Sequence, residues 1–357
     1  MTNPEIYFGS AGTLADLYWR SLNADFYQKS IKTISKQKDG LKSLTGLCRV
    51  WLKDIGQPDN LRFAQDQLSS DTEANPNFLF SILFYRHCIL SYLERESKSY
   101  SRVARAFYTL QSRLDNWLLQ NSLSFERSRD ILDQLSFYSL EGLSYNEVTE
   151  FSCTMDLLLG MDTEGARFRI LNMPESEVRR IYRDERIFHF LGSQSLLTPY
   201  SDLALIFGAL GPSCGKLLVD LGTAFGRPGL YAGLCHPELK FIGYDIVLER
   251  MCEAQRVVQK LGLAQEKIQF FHQDLSDPQF LLPEADYYFC YDPFSESTFR
   301  KIVSDLYTIS RERQIKVIAT HEPCIELFSR ESWFERSVYH LPTTIPAAIF
   351  ESRFERN

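Results

Sequence analysis

The chain has 357 residues, enough for about two domains, and its 44% hydrophobic and 24% charged residues are ordinary for a globular protein. That composition excludes chain-wide disorder and a collagen-like repeat, while 26 Phe and 18 Tyr supply material for two cores. A net charge of −7 argues against a dominant, sequence-independent grip on phosphate backbones and leaves room only for a local basic groove.

In chain order, the opening stretch MTNPEIYFGS lacks the basic and apolar regions of a secretory signal. Lys29, Lys32, Lys36, Lys38 and Lys42 follow as a basic cluster, most simply a solvated helix face. Asn75 and Pro76 predict the cap and first turn of a helix that begins near Phe78. Its apolar run Phe78–Leu93 is about 16 residues long and carries Arg86 and His87, so it predicts a buried helix rather than a membrane span. Leu114, Trp117, Leu118 and Leu119 repeat at helical spacing, as do Ile131, Leu132, Leu135 and Tyr138. Arg167, Arg169, Arg179, Arg180, Arg183 and Arg186 form a second basic group, interleaved with Glu175, Glu177, Asp184 and Glu185 in a way that suits helical ion pairing. The pattern predicts an all-α domain over residues 1–195, without a catalytic motif and suited to substrate recognition or dimerisation.

Residues 196–357 change character. Thr198-Pro199-Tyr200 opens a helix, and then short apolar runs alternate with helical stretches. Lys216–Asp220, Lys240–Asp245, Lys267–His272, Ala285–Tyr291 and Gln314–Thr320 predict five strands, with helices over Val247–Leu261 and Ser297–Ser310. This alternation is the sign of a parallel sheet with crossover helices. Phe334–Leu341 and Ala347–Phe354, separated by PTTIP, predict an antiparallel pair that finishes the sheet. The fold class is therefore α/β.

The eight cysteines include no C-x-x-C pair and none has a His at metal-ligand spacing. They predict reduced, mostly buried thiols, a cytoplasmic protein and no metal site. His272 and His321 fall near strand ends, where they border the site or serve as ordinary structural histidines.

The chemistry concentrates in Asp220-Leu-Gly-Thr-Ala-Phe-Gly-Arg-Pro-Gly229, which follows the first strand and precedes a helix. Gly222 and Gly226 allow a sharp turn and close approach of a ligand, and N–H groups at a helix start favour a negative group. A dinucleotide turn wants G-x-G-x-x-G, but here Ala224 stands where the second close glycine belongs. The segment, with Asp220 closing the strand, instead resembles motif I of the class I, seven-strand S-adenosylmethionine-dependent methyltransferases. The resemblance extends over about residues 196–357. Asp245 ends the second strand, Asp274 follows the third, and Asp292-Pro293-Phe294 ends the fourth, where motif IV lies.

The resemblance implies a Rossmann-like fold and S-adenosylmethionine as cofactor. It places Asp220, Gly222, Thr223 and Gly226 at the methionine end, Asp245 and Ile246 at the ribose, and Asp274 and Leu275 at the adenine. Thr198 and Tyr291 flank the site, and Asp292, Pro293 and Phe294 meet the substrate. Each position has a plainer role beside it: Asp220 as a turn cap, Asp245 as a helix N-cap, Asp274 as part of a polar loop, and Thr198 as a helix start. Arg227 and Pro228 are unusual in such a loop, and a protruding Arg227 would obstruct the pocket.

Motif IV keeps an acid, one proline and an aromatic, a partial match to the [D/N/S]-P-P-[Y/F/W] of amino-methylating members and compatible with non-SET protein lysine methyltransferases. Residues 201–357 hold 21 acids against 16 bases, which suits a cationic target. The expected function is N-methylation of a protein amine such as lysine, with a protein substrate as partner and homo-oligomerisation through the helical domain as a further possibility. The alternatives are an RNA or DNA base methyltransferase, which the basic groups keep open, a small-molecule enzyme with residues 161–200 as its lid, and a scaffold protein without turnover.

Overall fold

The computed structural model describes residues 115–116, 118–120, 122–135, 145–163, 165–166, 197–291, 295–338 and 341–353. The expected helix at Phe78, both basic clusters, the boundary near residue 195 and Asp292-Pro293-Phe294 lie outside the described residues. The chain divides into two compact units, residues 1–127 with 137–160 and residues 128–136 with 161–357.

Helix α1 spans Phe125–Leu135 and contains Ile131 and Leu132 of the predicted stripe. Helix α2 spans Tyr145–Leu159, and every residue from Phe151 to Gly160 is buried. A helix buried all round must satisfy its polar side chains internally, and Ser152, Thr154 and Asp156 are all engaged. In the same unit, Leu123 N donates to Leu158 O at 2.7 Å.

The second unit is built on a seven-stranded sheet. In chain order its elements are α3 (Tyr200–Leu210), β1 (Leu217–Leu221), α4 (Arg227–Cys235), β2 (Lys240–Asp245), α5 (Leu248–Lys260), β3 (Ile268–His272), β4 (Tyr287–Cys290), α6 (Glu296–Ser310), β5 (Lys316–Thr320), α7 (Glu322–Ser329), β6 (Phe334–Val338) and β7 (Ala347–Ser352). The strand order is β3-β2-β1-β4-β5-β7-β6. The first five strands in that order run parallel, and β7 is antiparallel to both β5 and β6. This is the Rossmann-like, mostly parallel sheet with an antiparallel C-terminal pair that the sequence predicts.

The two faces of the sheet follow from the alternation along each strand. Val219, Leu221, Tyr288, Cys290, Val317 and Ala319 face one way and join Phe299, Ile302 and Leu306 of α6 in one buried cluster. Their neighbours Leu218, Asp220, Phe241, Gly243 and Phe270 share the other face through the strand register. Central strands with helices on both faces read as continuous apolar runs, and β4 (YYFC) is buried at all four positions.

Glycines let α4 approach that second face. A Cβ at Gly229 would stand 2.6 Å from Phe241 Cε1 and 2.8 Å from Phe270 Cζ. The Ser295 hydroxyl accepts from Thr298 N and caps α6, which starts one residue before the predicted Ser297. Helix α7 was missed by the periodicity argument: it is eight residues long and opens on His321 with φ 75° and Pro323 in its first turn.

Candidate functional site

In an open, doubly wound sheet, ligands bind beyond the carboxyl ends of the strands where the order reverses. Here that point lies between β1 and β4. The strand end there is Asp220-Leu221, and its turn is laced to the end of β2. Gly222 N and Thr223 N both donate to Tyr244 O, at 2.9 and 2.8 Å. Ala224 N donates to Asp245 Oδ2 at 2.9 Å. Gly222 (φ 94°), Ala224 (φ 48°) and Gly226 (φ 76°) all take the left-handed region. Residues 223–230 are buried and Gly222 is only half-buried, so Gly222 is where the turn opens to a ligand.

This lacing bears on which ligand the turn suits. A pyrophosphate site needs free backbone donors at the glycine turn and at the following helix start. Three donors of this turn are already spent on β2, and Pro228 supplies none to the first turn of α4. The N–H cradle that the sequence motif suggests is thus largely consumed by the fold itself.

Asp220 remains at the centre. Its carboxyl is buried, at 2% exposure, and Oδ2 has no hydrogen-bond partner among the described residues. Burial pushes its pKa up to about 8; the Thr223 hydroxyl opposes this and the Asp245 charge adds to it. Thr223 Oγ1 is likewise buried without a partner. A buried acceptor left unmet costs about 1–3 kcal/mol, and a cationic, hydrogen-bonding ligand end would offset that at Asp220.

Asp245 is a bracket. Its Oδ1 accepts from Val247 N at 2.8 Å, at the N-cap of α5, while Oδ2 holds the turn. Arg250 Nη1 lies 3.8 Å from Oδ1. Each carboxylate oxygen keeps a second lone pair. Ile246 is half-buried, and its carbonyl accepts from the ring of His272 at 2.9 Å. Asp274 Oδ1 accepts from Ser276 N and Ser276 Oγ at 2.8 and 2.6 Å, a local turn. The Leu275 side chain is buried in the cluster beneath α6. Tyr291, just past β4, sets its ring edge-on to His321 at 6.0 Å.

Arg227 departs from expectation. It does not protrude: its side chain is 1% exposed. The guanidinium Nη1 donates to Thr198 O at 3.3 Å and Leu197 O at 3.5 Å, and Cζ lies 5.2 Å from the Tyr200 ring centre. Thr198 is thereby buried at 3% exposure beside the turn. The sequence signal was present in the Gly-Arg-Pro run, but it gives no direction for the side chain.

Two further residues escaped the sequence reading. Asp202 accepts from Thr344 N and Ile345 N, both at 2.9 Å. Ser201 Oγ is buried without a hydrogen-bond partner among the described residues. Neither sits in a motif. No group of His, Cys, Asp and Glu among the described residues is arranged to hold a metal ion, and no helix among them is long and apolar enough to cross a membrane.

No protein-family model and no curated protein matches the sequence. Among solved structures, the chain is similar to magnesium protoporphyrin IX methyltransferase from Synechocystis PCC 6803 with bound SAM, at 19% identity and TM-score 0.35, covering 54% of this chain and 96% of that one. It is also similar to an RNA methyltransferase from Salinibacter ruber in complex with S-adenosyl-L-homocysteine, at 17% identity and TM-score 0.35, covering 45% and 95%. A methyltransferase from Geobacter sulfurreducens stands at 14% identity and TM-score 0.35, covering 54% and 98%. The fold described above rests on this chain's own strand order and register, which make residues 197–353 a doubly wound, mostly parallel seven-stranded α/β unit.

Proposed function

We propose that the chain is an S-adenosylmethionine-dependent methyltransferase that N-methylates a protein amine such as lysine. The observation that carries the reading is the buried Asp220 carboxyl at the switch point, whose Oδ2 has no hydrogen-bond partner among the described residues, beside a glycine turn whose donors are largely consumed. Such a site suits a ligand that brings a cation rather than a phosphate. The α-ammonium of S-adenosylmethionine is that cation, and Gly222 leaves room for its approach.

When bound, the cofactor supplies a methyl group on a sulfonium, the electrophile of an in-line displacement. The chain's own work is positioning. Asp220 ionises against the ammonium and holds that end. Asp245 keeps the turn and the start of α5 in register, with lone pairs left for ribose hydroxyls. Asp292, Pro293 and Phe294 follow Tyr291 in the sequence, where the resemblance puts motif IV. There the Asp292 carboxylate accepts a hydrogen bond from the target amine, aims its lone pair and takes up the proton released on transfer, while Phe294 packs on the target. The net acidity of residues 201–357 favours a basic protein as target.

The test is methyl transfer from radiolabelled S-adenosylmethionine into a cell extract. Label in protein that survives nuclease and is lost on protease treatment supports the reading. Nuclease-sensitive label moves the target to RNA or DNA. No label beyond a heat-inactivated control refutes turnover and leaves the scaffold reading, and equal label with Asp292→Ala removes Asp292 from the acceptor role.

A further inference from the structure

We propose that Arg227 is a positioning residue, a clasp that holds the Leu197–Ser201 segment against the glycine turn and so sets the affinity of the cofactor site. The inference rests on the S-adenosylmethionine reading above.

Arg227 is costly where it stands. It is the first residue of α4, so a cation sits at the positive end of the helix dipole. It is also among the largest fully buried side chains, and a guanidinium tolerates burial only when its donors are engaged. Among the described residues its partners are two successive backbone carbonyls, of Leu197 and Thr198, and the face of Tyr200. All three belong to the segment that enters α3.

The same segment is gripped at its other end. Asp202 in the first turn of α3 accepts from Thr344 N and Ile345 N in the β6–β7 connection. That connection reaches the carboxyl end of β5, where Thr320 pairs with Ala347 and His321 N donates to Pro346 O. At the opposite end of α3, Lys316 Nζ donates to Leu210 O, and Tyr287 OH to Pro212 O just beyond the helix, at the starts of β5 and β4. Helix α3 therefore runs against the parallel strands. Residues 197–202 link the carboxyl end of β5 and the amino end of β7 to the turn after β1.

Both sides of the clasp carry buried oxygens without hydrogen-bond partners among the described residues. Ser201 Oγ lies in the clasped segment, and Asp220 Oδ2 and Thr223 Oγ1 lie in the turn. Such groups are expensive unless a ligand meets them. Arg227 joins the two pieces of chain that carry them, which makes it the residue on which their shared geometry depends.

The experiment compares wild type with Arg227→Lys and Arg227→Met. Calorimetric titration with S-adenosylhomocysteine is combined with hydrogen exchange of peptides covering residues 197–206. For Arg227→Met the proposal expects the dissociation constant to rise tenfold or more and the 200–206 amides to exchange at least tenfold faster, with β4 and β5 amides unchanged. Arg227→Lys keeps the charge but loses the planar fork, so it falls between. If the methionine variant fails to fold, the lysine variant decides alone. Unchanged exchange, or faster exchange with wild-type affinity, overturns the clasp. If wild type binds no S-adenosylhomocysteine while exchange responds as expected, the cofactor reading fails and Arg227 is left a structural tie.

Discussion

Asp220 gives the most direct access to the site at the scale of one residue. Its folded-state pKa is raised by burial to about 8, whereas an aspartate in the unfolded chain titrates near 3.9. The unfolded chain therefore releases this proton first. Stability from Asp220 is fully present below about pH 4 and is lost as pH rises towards 8. Asp220→Asn removes that loss. The variant is expected to melt several degrees higher than wild type at pH 8 and to match it near pH 4, in parallel thermal melts. The same substitution removes the anionic partner of a ligand ammonium, so the affinity for S-adenosylhomocysteine falls at least tenfold. A variant that melts higher yet binds normally would show that Asp220 does not meet the ligand. In wild type, affinity rises between pH 6 and 8 as the carboxyl ionises, with proton release visible in buffers of different ionisation enthalpy.

Ala224 is the second informative residue. It occupies the left-handed region at φ 48°, which costs an L-residue about 1–2 kcal/mol. Ala224→Gly relieves the strain but adds freedom to the unfolded chain, so a net gain of about 0.5 kcal/mol is expected. Ala224→Val is expected to lose about 2 kcal/mol or more, since a branched side chain resists that conformation. Urea denaturation of both variants checks the pair. Equal stabilities would mean the turn does not hold this geometry.

At the scale of elements, the packing of α4 on β2 and β3 positions the turn. The Phe241 and Phe270 rings, 5.6 Å apart, fill the space that Gly229 leaves. A helical Gly→Ala change ordinarily gains up to about 1 kcal/mol. Gly229→Ala is instead expected to lose about 1–3 kcal/mol, because the new methyl overpacks two buried rings. A gain in a denaturation experiment would contradict the packing.

Much of this layer was legible in the sequence. Lys240–Asp245 is read to the residue, because an apolar strand ends on a turn-forming acid. The other strands agree to within a few residues, since burial on both faces writes itself as apolar runs. What escaped has physical reasons. Helix α7 is too short for a 3.6-residue period and begins from a strained His321. The inward course of Arg227 and the grip of Asp202 on residues 344–345 depend on partners far off in the chain. Asp220 was legible as the acid that closes β1, but the unmet Oδ2 among the described residues was not, because that depends on how Gly222 and Thr223 turn onto Tyr244.

At the scale of the molecule, the second unit places the ends of β1, β2, β4 and β5 around one edge, with the 197–202 segment joining them. The central claim is that this edge binds S-adenosylmethionine. A small ligand with a cationic end fits a seam whose buried oxygens want donors. The most direct measurement is calorimetric titration of the purified chain with S-adenosylmethionine and, in parallel, S-adenosylhomocysteine. A cofactor site at this edge predicts micromolar binding of both at one site per chain, weakened at least tenfold by Asp220→Asn. No binding of either by a folded sample, or binding that Asp220→Asn leaves intact, would contradict it.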